Sequence, residues 1–282
     1  MITNALNSAV QGMRAQAIRF QHIGNNIANS DTTGYKSGTV SFAEALTSIP
    51  GGGGADGAKI QPGAGVLVTG TRTDFQTGQI EDDGNQAHIS VLGEGFFTVD
   101  LDGTEYVTRA GDFSLVEDPG NAGEYVMMRP NGSLLVGTSD QTAAATSGVL
   151  SFTARPASVK ISATGQVTGL DSTGATITPT NSQIRMRRFL NPDAMTKFQG
   201  QNYTPTVDAT EFAGGAGGVV GTGDVPGLGQ AGFLRQGSLE KSNVDLTVEF
   251  TRMITTQRNY QANSKTITTA ADMLSTAINL VR

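Results

Sequence analysis

Two groups of carboxylates are the side chains whose types and spacing come nearest to a catalytic or metal-binding site. Three acidic residues stand together at positions 81–83. Glycoside hydrolysis needs two carboxylates facing each other across a cleft, and consecutive residues in one loop do not provide that arrangement. Asp100, Asp102 and Glu105 surround a turn, but the ligand spacing and terminal glutamate of an EF-hand are absent. Both groups are better interpreted as solvated loops.

The other reactive side chains are scarce. The sequence has no cysteine and only two histidines, His22 and His88. Disulfides, thiolate metal sites and cysteine nucleophiles are therefore excluded, and a two-histidine zinc site would need both imidazoles. The glycine-rich stretches 51–57 and 214–232 lack the Gly-Lys-Ser/Thr of a phosphate-binding loop and predict flexible connections. We predict no catalytic, metal or cofactor-binding residue and no enzymatic activity.

The charge pattern restricts the possible partners. A formal net charge of -6 opposes nucleic-acid binding, which depends on neutralising phosphates. No run reaches the roughly 18 apolar residues of a membrane span, so no membrane insertion is expected. The densest basic patch is RMRRF at 185–189, where a strand would place Arg185 and Arg187 on one face and Arg188 on the other. Two interpretations stay open: a solvated strand edge protected by charge, or contact with acidic residues 81–83 of a neighbouring subunit.

Both ends of the chain show apolar residues at alternating spacings of four and three, the pattern of a helix that packs along another helix. Polar residues interrupt these seams at Gln16 in the first segment and at Gln257 and Ser264 in the last. The N-terminal seam contains Ile2, Leu6, Met13, Phe20, Ile23 and Ile27. The C-terminal seam contains Leu246, Phe250, Met253, Tyr260, Ile267, Leu274 and Ile278.

Two interpretations of these seams are possible. A helix that lies on its own globular domain also has apolar residues at this spacing. The seams are narrower than the face of such a helix, and they lie at opposite ends of the chain. Pairing of the two terminal helices, within or between subunits, is therefore the sharper hypothesis.

The sequence between the helices predicts an antiparallel β domain. Apolar and polar residues alternate around Asp102-Gly103 and Asn131-Gly132, which are strong hairpin signals. Similar turns are expected around Gly165 and Gly174, and QIRMRRFL is expected to form a further strand.

The predicted fold class is α+β, with terminal heptad-repeat helices forming a coiled-coil-like core. The predicted boundaries are 1–30 for the N-terminal helix, 31–72 for a turn and linker, 73–213 for a β-rich body, 214–241 for a return linker, and 242–282 for the C-terminal helix.

The stretch GNNIANSDTTGYK at 24–36 marks the end of the first helix. Asn and Gly tolerate left-handed and turn conformations, and Asn side chains can bond the unpaired backbone groups at a helix end. The motif residues of interest are Asn25, Asn26, Asn29, Thr33, Gly34 and Tyr35.

Three segments together resemble the bacterial flagellar axial family, which builds the rod and hook. They are IGNNIANSDTTGYK at 23–36, VLGEGFFTVD at 91–100 with YVTRAGDFSL at 106–115, and QGSLEKSNVDLTVEFTRMITTQRNYQANSKTITTAADML at 236–274. The resemblance implies that both terminal helices line a tubular core. It also implies that residues 24–34 form the corner leading outward to the β domain, with Tyr35 anchoring it by burial.

Within this family the chain is most similar to the hook protein, with the distal rod protein as the alternative. The resemblance implies a structural subunit that polymerises into the hook, a flexible tubular joint that transmits torque, outside the cytoplasm after flagellar export. The implied partners are further copies of the chain, the rod below, the hook–filament junction above, the hook cap and the export apparatus. Many hook proteins carry large outer domains, for which this chain has little space between 137 and 159. A secreted β-rich binding module with a coiled-coil stalk is the competing interpretation.

Overall fold

A computed structural model describes residues 2–46, 63–118, 120–139, 147–206, 209 and 232–280. The chain divides into two compact units. The helical unit contains Met1–Ser30, Ser37–Asp74 and Val244–Arg282, and the β unit contains Asp31–Lys36 and Phe75–Asn243. Helix α1 spans Ile2–Ala28 and helix α2 spans Leu246–Leu280. The predicted α+β class, with terminal helices and a central antiparallel β region, is confirmed.

Local interactions explain where α2 begins and why it tolerates many threonines. The Asp245 carboxylate accepts hydrogen bonds from the N–H groups of Thr247 and Val248, at 2.8 and 3.2 Å, and so caps the first turn. Along the helix, threonine hydroxyls donate to carbonyls four residues earlier, as Thr251 does to Thr247 at 2.8 Å. These bonds satisfy the hydroxyls within the helix itself.

A β-hairpin completes the helical unit. Strand β1, Gly38–Leu46, pairs antiparallel with β2, Gly63–Thr73, and both strands contact α1. A side chain added at Gly65 would meet Ser8 Cα at 3.3 Å, which shows how closely β2 approaches the helix. This hairpin contradicts the turn and linker predicted for residues 31–72. Its signal was obscured by the adjoining glycine-rich stretch 51–57, which lies outside the described residues, as does 214–231.

The β unit consists of short strands in four sheets. The strand bounds are β3 Ile80–Asp82, β4 Ile89–Leu92, β5 Phe96–Leu101, β6 Thr104–Thr108, β7 Ser114–Glu117, β8 Tyr125–Met128, β9 Leu134–Thr138, β10 Ser147–Val149, β11 Ser151–Phe152, β12 Ser158–Ile161, β13 Val167–Leu170, β14 Thr176–Ile177, β15 Gln183–Ile184, β16 Met186–Arg187, β17 Thr196–Lys197, β18 Asn202–Thr204, β19 Phe233–Gln236 and β20 Ser238–Glu240. In the largest sheet the strand order is β11-β8-β9-β5-β6-β18-β17; β10 and β15 also pair with β9, β16 with β5, and β7 with β8. Strands β12, β13 and β14 form a second sheet, and the pairs β19-β4 and β20-β3 form two more.

Two apolar clusters form the core of the β unit. The larger cluster contains fully buried residues from several strands, including Phe97 of β5, Met127 of β8 and Phe152 of β11. The smaller surrounds Phe96 and Tyr203, beside the 3₁₀ helix Pro192–Ala194. Burial of these large side chains is the main stabilising contribution to the unit.

The predicted hairpins form, but with two kinds of turn. At Asp102-Gly103 both residues have positive φ, 55° and 79°, and Leu101 pairs with Thr104, as expected of a two-residue type I′ turn. Asn131-Gly132 lies instead in a longer loop in which only Gly132 has positive φ, and Arg129 N–H donates to Ser133 O at 2.9 Å. Pro130 fixes its own φ near -65°, which favours an ordinary turn before the left-handed glycine.

The basic patch at 185–189 is buried within its own chain. QIRMRRFL forms two short strands, β15 and β16, rather than one continuous strand. Arg185 is 4% exposed and its Nη1 lies 2.7 Å from Glu105 Oε1, while Arg187 Nη1 lies 3.5 Å from Glu105 Oε2. The shared face of these two arginines was predicted correctly, but the solvated-edge interpretation was wrong. Burial became possible because Glu105 supplies the counter-charge.

The segment 138–158 does not form a separate subdomain in the part that the structure describes. Strands β10 and β11 within it join β9 and β8 of the largest sheet. Residues 140–146 lie outside the described residues.

Candidate functional site

Each carboxylate of the acidic cluster at 81–83 pairs with a basic side chain of its own chain. Glu81 pairs with Lys241 at 3.2 Å, Asp82 with Arg235 at 2.6 Å, and Asp83 with His88. The proposed contact of this cluster with the arginines at 185–188 of a neighbour is therefore not supported. Among the described residues, no group of three metal-ligating side chains comes together. No helix in the described part of the chain is both long and apolar enough to cross a membrane.

The asparagine-rich motif begins inside α1. The helix continues through Asn25 and Asn26 to Ala28, so the chain turns later than the first glycine of the motif. Asn29 Nδ2 donates to the Asn25 carbonyl at 2.8 Å. Asn26 is 2% exposed, and its amide both donates to Gly38 O and accepts from Gly38 N–H, each at 2.9 Å. One asparagine side chain thereby ties the end of α1 to the start of β1.

Replacing Asn26 by alanine should loosen this attachment. Gly38 would lose partners for both backbone groups, and we expect a loss of about 1–3 kcal/mol in local stability. Amide hydrogen exchange at Gly38 should become faster. Asn25→Ala is the matched control because the Asn25 side chain is exposed and does not contact Gly38; equal acceleration in both variants would contradict the role given to Asn26.

The second half of the motif belongs to the β unit. Gly34 has a φ of 66° and its N–H donates to Glu240 O at 2.7 Å. A Cβ at Gly34 would lie 2.5 Å from Ala110 N, so the backbone approach admits only glycine. Tyr35 is 3% exposed, and its ring centroid lies 4.2 Å from Lys197 Nζ. Burial lowers the pKa of Lys197. Thr33 is half-buried beside them.

Lys36 and Glu240 form a buried ion pair at the end of the asparagine-rich motif. Lys36 Nζ lies 2.6 Å from Glu240 Oε1 and 2.6 Å from Gln76 O, and both side chains of the ion pair are fully buried. Glu240 Oε1 also accepts the Gly78 N–H at 2.9 Å. The ion pair thus joins the two segments of the β unit, since Lys36 is the last residue of Asp31–Lys36 and Glu240 lies near the end of Phe75–Asn243.

Arg109 supports the same carboxylate from another side. Its Nη1 lies 3.6 Å from Glu240 Oε2, its Nη2 donates to Gly93 O at 2.9 Å, and its guanidinium lies 5.0 Å from the Phe96 ring centroid. Burial lowers the pKa of Arg109, and the charges of Glu240 and Glu94 oppose that shift. Glu240 therefore lies between the buried side chains of Lys36 and Arg109.

Sequence reasoning did not single out Glu240 or Arg109. Both lie in the quoted segments of family resemblance, but nothing in local spacing links a lysine to a glutamate 204 residues away. An acidic residue in an otherwise apolar-polar strand pattern, QGSLE, is the one signal that could have drawn attention to Glu240.

The structure buries few of the predicted seam residues. Ile23 is 4% exposed, whereas Phe20, Leu246, Phe250, Tyr260, Leu274 and Ile278 are all between 38% and 66% exposed. Leu6, Met13, Ile27, Met253 and Ile267 are half-buried, and the side chain of Ile2 lies outside the described residues. The buried residues of α2 are instead Glu249, Thr256 and Ala270. Within one chain the helices contact each other, but most of the α2 seam has no partner there.

The α1–α2 contact contains a groove of about 370 Å³. It is lined by Gln16, Ala17, Phe20, Thr256, Gln257, Tyr260 and Gln261. The two glutamines that interrupt the seams, one from each helix, therefore come to the same place. The side chain of Asn263 packs against α1 nearby, since a Cβ at Gly12 would lie 2.8 Å from Asn263 Nδ2.

Comparison with known proteins identifies the family. The family model described as "Flagella basal body rod protein" matches residues 6–36, and "Flagellar basal body rod FlgEFG protein C-terminal" matches 235–280. The flagellar basal-body rod protein FlgG of Bacillus subtilis is 33% identical over 285 residues, which cover 99% of each chain. This chain belongs to the flagellar rod and hook family. FlgG of Agrobacterium fabrum is also 33% identical, over 96% of this chain and 97% of its own length.

The similarity to hook proteins of this family is partial. The flagellar hook protein FlgE of Escherichia coli is 39% identical over 115 residues, covering 40% of this chain and 26% of the hook protein. The predicted family is confirmed, and this member is a structural subunit of the flagellar axis, located in the flagellum outside the cytoplasm. The rod interpretation is better supported than the hook interpretation, because the B. subtilis rod protein matches over 99% of each chain, whereas the E. coli hook protein matches over 40% of this chain.

Proposed function

We propose that the chain is a distal rod subunit that polymerises into a tubular segment of the flagellar basal body. The observation that carries the proposal is the match with the B. subtilis basal-body rod protein. The matched residues cover 99% of this chain and 99% of that protein. About three quarters of the hook protein has no counterpart here.

The exposed helix seams support polymerisation as the mechanism. Leu246, Phe250 and Ile278 are 42–66% exposed in the single chain. Several large apolar side chains exposed along one helix are typical of a protein interaction surface. Further copies of the same chain would bury it, and a head-to-tail contact that does not close into a ring generates a helical filament. The neighbouring axial proteins and the flagellar export apparatus are the further partners that this role requires.

Deletion of residues 246–282 tests the role of the helix in assembly. We expect the truncated chain to form no polymer at concentrations where the full-length chain assembles, because helix α2 is removed with its seam. The β unit should stay folded, since its two core clusters contain no residue of α2. Sedimentation measures polymer mass, and circular dichroism measures the retained β structure. A tube assembled from the truncated chain would contradict the proposal.

A further inference from the structure

The loop between β8 and β9 contains an asparagine followed by glycine at an exposed turn. Asn131-Gly132 is the one such dipeptide in the chain. Gly132 is exposed and has a φ of 86°. Because glycine has no Cβ, its backbone nitrogen is poorly shielded and another group can approach it closely. The side chain of Asn131 has the length that brings its Cγ to this nitrogen in a five-membered ring.

The hydrogen bonds of the Asn131 side chain favour attack on its Cγ. Oδ1 accepts the Ser133 hydroxyl at 2.7 Å and the Ser133 N–H at 3.2 Å. Two donors on one carbonyl oxygen stabilise the negative charge that this oxygen acquires during attack, as in an oxyanion hole. Nδ2 is buried and has no hydrogen-bond partner among the described residues, so its departure breaks no such bond.

We propose that Asn131 is a site of spontaneous modification, at which its amide is converted to a carboxylate. Hydroxide removes the proton of the Gly132 nitrogen, which then attacks Asn131 Cγ. The bond between Cγ and Nδ2 breaks, and Nδ2 takes a proton from water and leaves as ammonia. Water opens the resulting succinimide at one of its two carbonyl groups, which gives aspartate or isoaspartate. The net reaction consumes water, releases ammonia and needs no oxidant.

One main-chain hydrogen bond opposes the attack. The Gly132 N–H donates to Arg129 O at 2.9 Å, and this bond must open before hydroxide can take the proton. The glycine is exposed, so water reaches it in the folded chain. Local opening of a surface turn requires much less free energy than global unfolding. The folded chain can therefore react.

The product would disturb a loop that is attached to the rest of the β unit through a buried arginine. Arg129 is 2% exposed, and its side chain donates to Asp112 at 2.7 Å and to Asn202 at 3.0 Å. Isoaspartate lengthens the main chain of the loop and displaces the main-chain bonds that Arg129 forms across it. The converted chain, separated by anion exchange through its added negative charge, should therefore unfold at a lower urea concentration.

Incubation of the folded full-length chain at a series of pH values tests the proposal. Mass spectrometry of a digest locates the conversion, since OH in place of NH₂ raises the mass of the peptide. We expect conversion at Asn131 to increase with pH and to be faster than at Asn121, which is exposed but precedes alanine. Asn131→Gln should remove the reaction, because the longer side chain must close a less favourable six-membered ring.

Ser133→Ala tests the contribution of the folded loop. The variant leaves Asn131 Oδ1 with a single donor, and we expect conversion to slow roughly 2- to 10-fold, as the loss of one hydrogen bond implies. Ser139→Ala is the matched control, because Ser139 is exposed and lies outside the loop. Circular dichroism of both variants would verify that the β structure is intact.

Two results would overturn the proposal. A folded chain that stays unmodified at Asn131, while the urea-unfolded chain converts, would mean that the loop protects the amide. Equal rates in the Ser133 and Ser139 variants would mean that the hydroxyl does not assist the attack. Neither result bears on the rod assignment, since the modification does not depend on polymerisation.

Discussion

Lys36→Met should destabilise the β unit by about 3–5 kcal/mol, because it leaves the buried Glu240 carboxylate without its closest cation. Lys36 Nζ lies 2.6 Å from Glu240 Oε1, and solvent cannot replace it since both side chains are fully buried. Arg109 remains at 3.6 Å, too far for a short hydrogen bond. The free energy of unfolding should be measured by urea titration with tyrosine fluorescence, since Tyr260 is the one tyrosine of five outside the β unit.

Lys241→Met is the matched control for this prediction. Lys241 also pairs with a glutamate, Glu81 at 3.2 Å, but the two side chains are 45% and 65% exposed. Exposed pairs contribute about 0–1 kcal/mol, so this variant should unfold nearly as the unaltered chain does. If the two methionine variants lost equal stability, the buried Lys36–Glu240 pair would not stabilise the β unit more than the exposed pair does.

Gly34→Ala should cost about 3 kcal/mol or more. A left-handed backbone disfavours alanine by about 1–2 kcal/mol. The new Cβ would in addition lie 2.5 Å from Ala110 N and 2.6 Å from Ala110 Cα, where backbone atoms cannot rotate away. Relief of this overlap would displace the Gly34 N–H from Glu240 O, with which it forms a 2.7 Å hydrogen bond.

Gly103→Ala separates the two contributions in this prediction. Gly103 has a φ of 79°, but a Cβ there would meet no atom within 4 Å. It should therefore show the conformational cost alone, about 1–2 kcal/mol in the same urea titration. A Gly34 variant no less stable than the Gly103 variant would mean that the backbone at Ala110 adjusts easily.

Short sequence patterns correctly predicted the two terminal helices and one of the turns. The four-three spacing of apolar residues predicted both helices, and Asp102-Gly103 predicted a turn of the observed type. The hairpin β1–β2 was missed because its strands stand on either side of a glycine-rich stretch, which predicts a linker rather than a pairing. Strand register across such a stretch depends on packing against α1, which no short window of sequence contains.

The contacts of the asparagine-rich motif could be predicted from the sequence even less. The presence of Asn26, Gly34 and Lys36 in one short motif indicated an irregular backbone conformation after the helix. Their partners are Gly38, Ala110 and Glu240, and two of these three lie far away in sequence. A charge partner at that separation becomes visible only once the two chain segments are folded side by side. The burial of Arg185 beside Glu105 escaped prediction for the same reason.

Electron microscopy of the purified full-length chain, over a series of concentrations and salt levels, would show directly whether and how it polymerises. We expect straight tubes that appear as the concentration rises, because neighbouring copies would bury the exposed apolar side chains of α2. Curved, flexible tubes would contradict the rod assignment in favour of the hook. A small closed oligomer that persists at every concentration would contradict polymerisation altogether.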